Sequence, residues 1–348
     1  MKIETLVPSE SDFRRGYRRV GLGGSETVMA SVDVDGWILA EASCEFDLIK
    51  GYEKKTIMHY DNMRMDMKDF LATHSLQQAR MFNQKKCALA STLYPGMGRV
   101  LIGKTTYFSS ILTNEACTRL MRRGEIGNFD FRKIFPWSRE DLSLLSIETS
   151  GMSNHVGVSG LALSRDRYPV VWIQNQNAQH NINELMPTGS GSLDWSDVRS
   201  CGSCDIFDIF RFGIAREMRE EGSLNLGSFS RSVADIAEKT LLIGYYRWTR
   251  RGGKPEFYGI SYIDLPYKDF FPEIEEVDVA RYRGGGLVST NAILSEADLV
   301  RFCDGILTDP DIQVGVPLKM ILRQLKRILN GEFGDEARGR VFDIWKIK

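Results

Sequence analysis

The residues best suited to chemistry lie in one short segment, Arg216 to Leu224, which reads Arg-Glu-Met-Arg-Glu-Glu-Gly-Ser-Leu. Helical spacing of the apolar residues before it predicts an α-helix. At about 100° per residue, Glu217, Glu220 and Glu221 then project within roughly a third of its circumference. Carboxylates placed together beside an apolar stripe repel one another and lose solvation, and a hard divalent cation would relieve both effects. The alternative is an ordinary charged surface helix with Arg216 and Glu220 as an i,i+4 pair.

The order of residues in this segment is more specific than its charge. It matches Arg-Glu-apolar-x-Glu-Glu-x-Gly-apolar except that Ser223 stands in place of the glycine. This string is the second half of the signature of the Nudix hydrolase superfamily, which the chain resembles. The resemblance implies a diphosphate hydrolase in which Glu217, Glu220 and Glu221 bind Mg²⁺ or Mn²⁺. It also implies catalytic roles for Glu217 and Glu220, with Arg216 holding the glutamates in position.

The first half of the signature, a glycine followed after five residues by an acid, fits the sequence at two places. Strict spacing selects Gly202 and Asp208. The other placement uses Gly191 and Asp197, with Gly189 just before them, and requires an insertion ahead of the helix. We favour the second placement, because a loop rich in glycine and serine suits a phosphate-facing turn. Gly189, Gly191 and Asp197 are therefore the predicted phosphate loop.

The sequence leaves the general base and the level of activity open. Glu256, Glu273, Glu275 and Glu276 are candidate bases by position, and Glu256 comes first because it opens a predicted strand. The main functional prediction is hydrolysis of a diphosphate linkage in a nucleoside diphosphate derivative. The alternative is a catalytically weak nucleotide-binding sensor or regulator, of the kind that accompanies bacterial nucleotide-signalling or defence systems.

Composition sets the broad class of the protein. The chain has 348 residues, of which 43% are apolar and 26% charged, with a formal net charge of −1. These values are typical of a globular protein and argue against general nucleic-acid coating, although a local basic patch stays open. No apolar run approaches the roughly 20 residues that cross a bilayer, so we expect a cytoplasmic protein without a membrane partner. A nucleotide is the expected partner, and a homodimer is left open.

The apolar patterns predict an α/β (α+β) fold with three parts. These are an N-terminal accessory α+β region at 1–150, a region at 151–310 for which the resemblance implies a Nudix-like α/β/α sandwich with a mixed sheet, and a helical extension at 311–348. Several local elements are predicted in addition. They are a strand pair over Ser31–Glu45, strands over Thr240–Trp248 and Glu256–Ile263, a helix capped by Ser295, and a helix over Pro317–Leu329.

Overall fold

The computed structural model describes residues 7–8, 10–24, 26–41, 43–53, 83–118, 120–123, 127–130, 143–174, 184–222, 231–270, 277–279 and 292–347. The strands in these ranges are β1 (Val7–Pro8), β2 (Arg18–Gly23), β3 (Glu26–Ala30), β4 (Glu45–Glu53), β5 (Lys85–Leu89), β6 (Arg99–Thr106), β7 (Leu120–Arg123), β8 (Gly127–Asp130), β9 (Ser143–Leu144), β10 (Gly157–Ser164), β11 (Pro169–Val170), β12 (Trp172–Gln174), β13 (Leu185–Met186), β14 (Gly189–Ser192), β15 (Thr240–Trp248), β16 (Lys254–Ile263) and β17 (Val277–Val279). The α-helices are α1 (Glu10–Arg14), α2 (Val32–Leu39), α3 (Tyr107–Ser110), α4 (Trp195–Ser200), α5 (Ile206–Glu221), α6 (Val233–Ala237), α7 (Glu296–Thr308), α8 (Val316–Leu329) and α9 (Gly334–Trp345). A π-helical turn at Ile111–Glu115 follows α3.

A mixed seven-stranded sheet forms the centre of the described structure. Its order is β11-β10-β16-β15-β3-β2, and β14 also pairs with β10. Strands β10 and β16 run parallel, whereas β10 with β14 and β15 with β16 run antiparallel. The predicted α/β (α+β) class with a mixed sheet is therefore confirmed.

Alternation along the strands divides the apolar residues into two layers. In β10, Val158 and Ala162 face the layer that contains α5, whereas Leu161 and Leu163 face the layer that contains α7, α8 and α9. Successive side chains of a strand point to opposite faces, so the sheet buries apolar surface on both sides. Among the helices that the structure describes, none is long and apolar enough to cross a membrane.

The N-terminal residues contribute to this same sheet. Strands β2 and β3 extend it beyond β15, and α2 packs on β15. The predicted ranges 1–150 and 151–310 thus share one sheet, and the helices of 311–348 pack on one face of it, while the division into domains stays a prediction. A separate three-stranded sheet, β4-β6-β5, lies at Glu45–Glu53 and Lys85–Thr106.

The predicted strand pair over Ser31–Glu45 is wrong for most of its length. Residues Val32–Leu39 form α2, and a strand begins only at Glu45. Ser31 is the N-cap, and its Oγ accepts a hydrogen bond from the backbone N–H of Val34 at 3.3 Å. A serine cap followed by acidic residues in the first turn stabilises a helix start, and this local signal prevails over the β-branched composition.

Candidate functional site

The helix α5 carries the glutamates and is fixed by its cap and by one apolar side. Asp205 is the N-cap, and its carboxylate accepts from the backbone N–H of Phe207 at 2.8 Å. Phe207, Phe210, Ile214 and Met218 are buried against the sheet. Because residues four apart share a helix face, Glu217 and Glu221 at the end of this stripe also point toward the protein rather than to solvent.

The carboxylates differ in exposure according to their place on the helix. Glu217 and Glu221 are buried, with relative exposures of 9% and 6%. Glu220 lies at the rim, and its side chain is 49% exposed. The structure therefore brings Glu217 and Glu221 into the interior, with Glu220 at their solvent side.

Strand β14, Gly-Ser-Gly-Ser, lies directly on α5. A Cβ on Gly189 would be 2.4 Å from the backbone N of Met218, and a Cβ on Gly191 would be 2.3 Å from the carboxylate carbon of Glu217. Both distances are shorter than real Cβ contacts. At Gly189 the nearest atoms are helix backbone, so the close approach requires glycine there, whereas a Cβ at Gly191 would displace the Glu217 carboxylate. The two predicted loop glycines therefore serve the contact between strand and helix.

This approach lets the edge of β14 hold two of the glutamates. The N–H of Ser192 donates to Oε1 of Glu217 at 3.1 Å, and the N–H of Ser190 donates to Oε2 of Glu221 at 3.2 Å. Two residues of a strand span roughly 6.7 Å and four residues of a helix about 6 Å, so the spacings match. The backbone N–H groups on the edge of β14, which would otherwise lack hydrogen-bond partners, thus donate to buried carboxylates.

Arg216 joins the remaining acidic groups. Its Nε lies 2.9 Å from Oδ1 of Asp197, its Nη2 2.9 Å from Glu217, and its Nη1 2.8 Å from Glu220. Nη2 also donates to the carbonyl of Ser192 at 2.8 Å. Burial alone would lower the pKa of Arg216, but Glu217, Asp197 and Glu220 together raise it, so the guanidinium stays charged.

The two placements of the first signature half differ in what their acids contact. Asp197 is 2% exposed and binds Arg216 through both oxygens. Asp208 accepts from the hydroxyl of Ser203 and pairs with Arg211, and its side chain is 44% exposed. The structure therefore brings Asp197, and not Asp208, to the glutamates.

The short helix α4 positions Asp197. Asp194 is the N-cap of α4 and Asp197 is its third residue, and the two form a capping box. The backbone N–H of Asp194 donates to Oδ2 of Asp197 at 2.8 Å. The capped first turn of α4 thus aims Asp197 at Arg216.

Excess negative charge is the main electrostatic property of the site. The described side chains that these contacts link comprise five carboxylates and two cations, namely Asp194, Asp197, Glu217, Glu220 and Glu221 with Lys86 and Arg216. Burial raises the pKa of Glu217, Arg216 opposes the rise, and the charge of Glu220 adds to it. A divalent cation would offset this excess of negative charge.

The donors were compared with what a magnesium ion needs. In the described ranges, no group of three or more His, Cys, Asp or Glu side chains is arranged so that it could hold a metal ion. However, Mg²⁺ usually keeps several waters and takes only one or two carboxylates plus substrate phosphates. Each carboxylate has about four lone-pair positions, so Glu217 and Glu221 can hold their strand amides and still ligate a cation. Binding of Mg²⁺ or Mn²⁺ by these carboxylates therefore stays a prediction.

The structure does not bring Glu256 to the other site residues. Its neighbour Phe257 stacks on Phe210 of α5 at 3.8 Å between ring centroids, so Glu256 points to the opposite face of the sheet. There it is 4% exposed and forms an ion pair with Lys254. The remaining candidate bases, Glu273, Glu275 and Glu276, lie outside the described residues, as does Ser223.

Two features of the site were missed in the sequence. Lys86 of β5 forms an ion pair with Asp194, although 108 positions separate the two residues. The backbone amides of Ser190 and Ser192 carry no sequence signal except the alternation of glycine and serine. That alternation indicates a strand with glycines, and so no side chains, along one face. It could have suggested that another element packs closely on that face.

The whole chain was compared with known proteins. No protein-family model matches it, and the search of curated proteins finds no match.

Proposed function

We propose that the protein is a metal-dependent hydrolase of the Nudix type that cleaves a diphosphate linkage in a nucleoside diphosphate derivative. The observation that carries the proposal is the arrangement around Arg216. This residue binds Asp197, Glu217 and Glu220 at once. The sequence signature and the spatial cluster coincide on the same residues, which favours a reactive site over a solvated helix face.

Each residue of the cluster has a distinct role in this proposal. Glu217 and Glu221 supply carboxylate oxygens to Mg²⁺ or Mn²⁺, and Glu220 completes the donor set from the exposed rim. Arg216 orients Glu217 and Glu220 through charge-assisted hydrogen bonds, and Asp197 fixes Arg216. When bound, the cation would neutralise the diphosphate oxygens and acidify the attacking water.

The reaction itself is simple to balance. A water oxygen bonds to one phosphorus as the bond from that phosphorus to the bridging oxygen breaks, the protons of the water pass to solvent, and two phosphate products leave. The general base is left unassigned, because Glu256 faces away from the glutamates. The proposed role of the protein is to place carboxylates, cation and phosphorus in line.

A second candidate is a nucleotide-binding module with weak or no turnover. One observation favours it: the described carboxylates already have partners within the chain. Glu217 and Glu221 bind strand amides, and Glu220 binds Arg216. A cation would then have to compete with contacts that are already made, which lowers its affinity.

A nucleotide screen separates the two candidates. The protein is incubated with nucleoside diphosphate derivatives and Mg²⁺ or Mn²⁺, and products are followed by mass spectrometry. An enzyme should turn over at least one compound, and Glu217→Gln and Glu221→Gln should remove most of that turnover. Asp208→Asn is the matched control, because it neutralises an exposed carboxylate on the same helix. Turnover that survives both glutamate substitutions would contradict the mechanism, and calorimetric binding without products would favour the module.

A further inference from the structure

Strand β5, from the N-terminal part of the chain, lies across the end of the β10–β14 pair. The N–H of Cys87 donates to the carbonyl of Leu193 at 2.9 Å, and the N–H of Val156 donates to the carbonyl of Cys87 at 2.9 Å. Leu193 directly follows Ser192, whose amide holds Glu217. Residues 85–89 are therefore attached to the segment that carries the carboxylates.

The docking of β5 buries one of its two lysines beside the site. Lys86 is 7% exposed, and its Nζ forms an ion pair with Asp194 and a hydrogen bond to Oε1 of Gln84 at 2.9 Å. Lys85, the preceding residue, is exposed. Because adjacent strand residues point to opposite faces, only one of the two identical side chains reaches the site.

Contacts run without interruption from Lys86 to the glutamates. Lys86 holds the carboxylate of Asp194, the N-cap of α4. The N–H of Asp194 donates to Asp197, and Asp197 binds Arg216. Arg216 in turn binds Glu217. Each step is a hydrogen bond or ion pair between buried or half-buried groups, so displacement at one end changes the geometry at the other.

We propose that Lys86 is a positioning residue of the carboxylate site, acting through Asp194 and Asp197 on Arg216 and Glu217. The inference rests on the proposed function, because positioning matters only if the glutamates bind a cation. It gives the N-terminal part of the chain a defined role: β5 completes the site rather than forming a separate accessory unit.

Positioning and simple charge predict opposite effects on metal binding. Lys86 also places a positive charge close enough to act on Glu217. If it were only a nearby charge, its removal would make the site more negative and strengthen cation binding. If it positions Asp194 and the residues beyond, its removal loosens the donors and weakens cation binding. The sign of the change therefore decides between the two roles.

Manganese binding to the full chain is measured by electron paramagnetic resonance for the native protein, Lys86→Met, Lys86→Arg and Lys85→Met. We expect Lys86→Met to weaken Mn²⁺ binding by roughly tenfold, as loss of an outer partner of a metal ligand typically does. Lys86→Arg should restore most of the affinity, and Lys85→Met, with the same change of charge on an exposed residue, should leave it within about twofold.

The outcomes distinguish the two proposals. Mn²⁺ binding to Lys86→Met that equals or exceeds native binding overturns the positioning role and leaves the proposed function intact. Native protein that binds no Mn²⁺, or binds it equally after Glu221→Gln, overturns the proposed function and with it the inference. A lower melting temperature with unchanged affinity shows a purely structural ion pair. If Lys86→Met does not fold, Lys86→Gln removes the same positive charge with a polar side chain and carries the same expectations.

Discussion

Gly189→Ala tests the contact between strand β14 and helix α5. The new Cβ would be 2.4 Å from the backbone N of Met218 and 2.7 Å from its Cα. These atoms belong to the backbone of a buried helix, so no side chain can rotate away, and strand and helix must separate by about 1 Å. Overpacking of this kind costs roughly 1–3 kcal/mol and sometimes more. We expect about 3 kcal/mol, because the shift also stretches the two amide–carboxylate bonds beside it.

The measurement is the free energy of unfolding in urea, with Gly98→Ala as the control. At Gly98 a Cβ would meet nothing within 4 Å, so alanine there should be neutral or should stabilise by up to about 1 kcal/mol. The two substitutions make the same chemical change, but Gly189→Ala should clearly lower the urea midpoint, whereas Gly98→Ala should leave it unchanged or raise it. If Gly189→Ala unfolds at the native midpoint, the close packing of β14 on α5 is refuted, and with it the reason for glycine at this position of the strand.

Two further predictions concern buried carboxylates. Asp197→Ala should lower the free energy of unfolding by about 3 kcal/mol, because the buried ion pair with Arg216 loses one partner. Asp208→Ala, which removes the half-exposed acid of the other placement, should lower it by less than about 1 kcal/mol. Equal losses in the two variants would contradict the placement of Asp197 at the site. Burial raises the pKa of Asp35 to about 7 despite its ion pair with Arg327. The folded protein therefore holds this proton more tightly than the unfolded chain, so Asp35 contributes stability at low pH that is lost as pH rises through about 7. Between pH 5 and pH 7.5 the loss should be about 2.5 kcal/mol by urea unfolding, and Asp35→Asn should lack it; an unchanged slope in Asp35→Asn would refute the assignment.

Elements with strong local signals could be predicted from the sequence. Strand β15 has the predicted bounds Thr240–Trp248, and Ser295 caps α7 through a capping box with Asp298, as its spacing indicates. Helix α8 begins one residue before the predicted Pro317. In each case the signal, an apolar pattern for β15 and α8 and a capping box for α7, lies close in sequence, so nothing distant is needed to specify the element.

Asp35 illustrates what local patterns could not show. A β-bulge between Leu242 and Gly244 shifts the register of β15, and the N–H of Tyr245 donates instead to Asp35 at 3.1 Å. Arg327 of α8 reaches the same carboxylate at 3.1 Å. The sequence predicted a strand pair over Ser31–Glu45 and gave no sign of these contacts, because the two partners of Asp35 lie more than two hundred positions away.

The sequence by itself determined the helix with Glu217, Glu220 and Glu221 on one side, since helical periodicity depends only on residues within one or two turns. It also narrowed the acid that completes the signature to Asp197 or Asp208. Only the tertiary structure decided that Asp197 pairs with Arg216 and that Lys86 pairs with Asp194 next to them. Such contacts depend on which strand edges pair and in which register, and a shift of one residue moves every side chain to the other face. That register is set by the whole sheet and its two apolar layers.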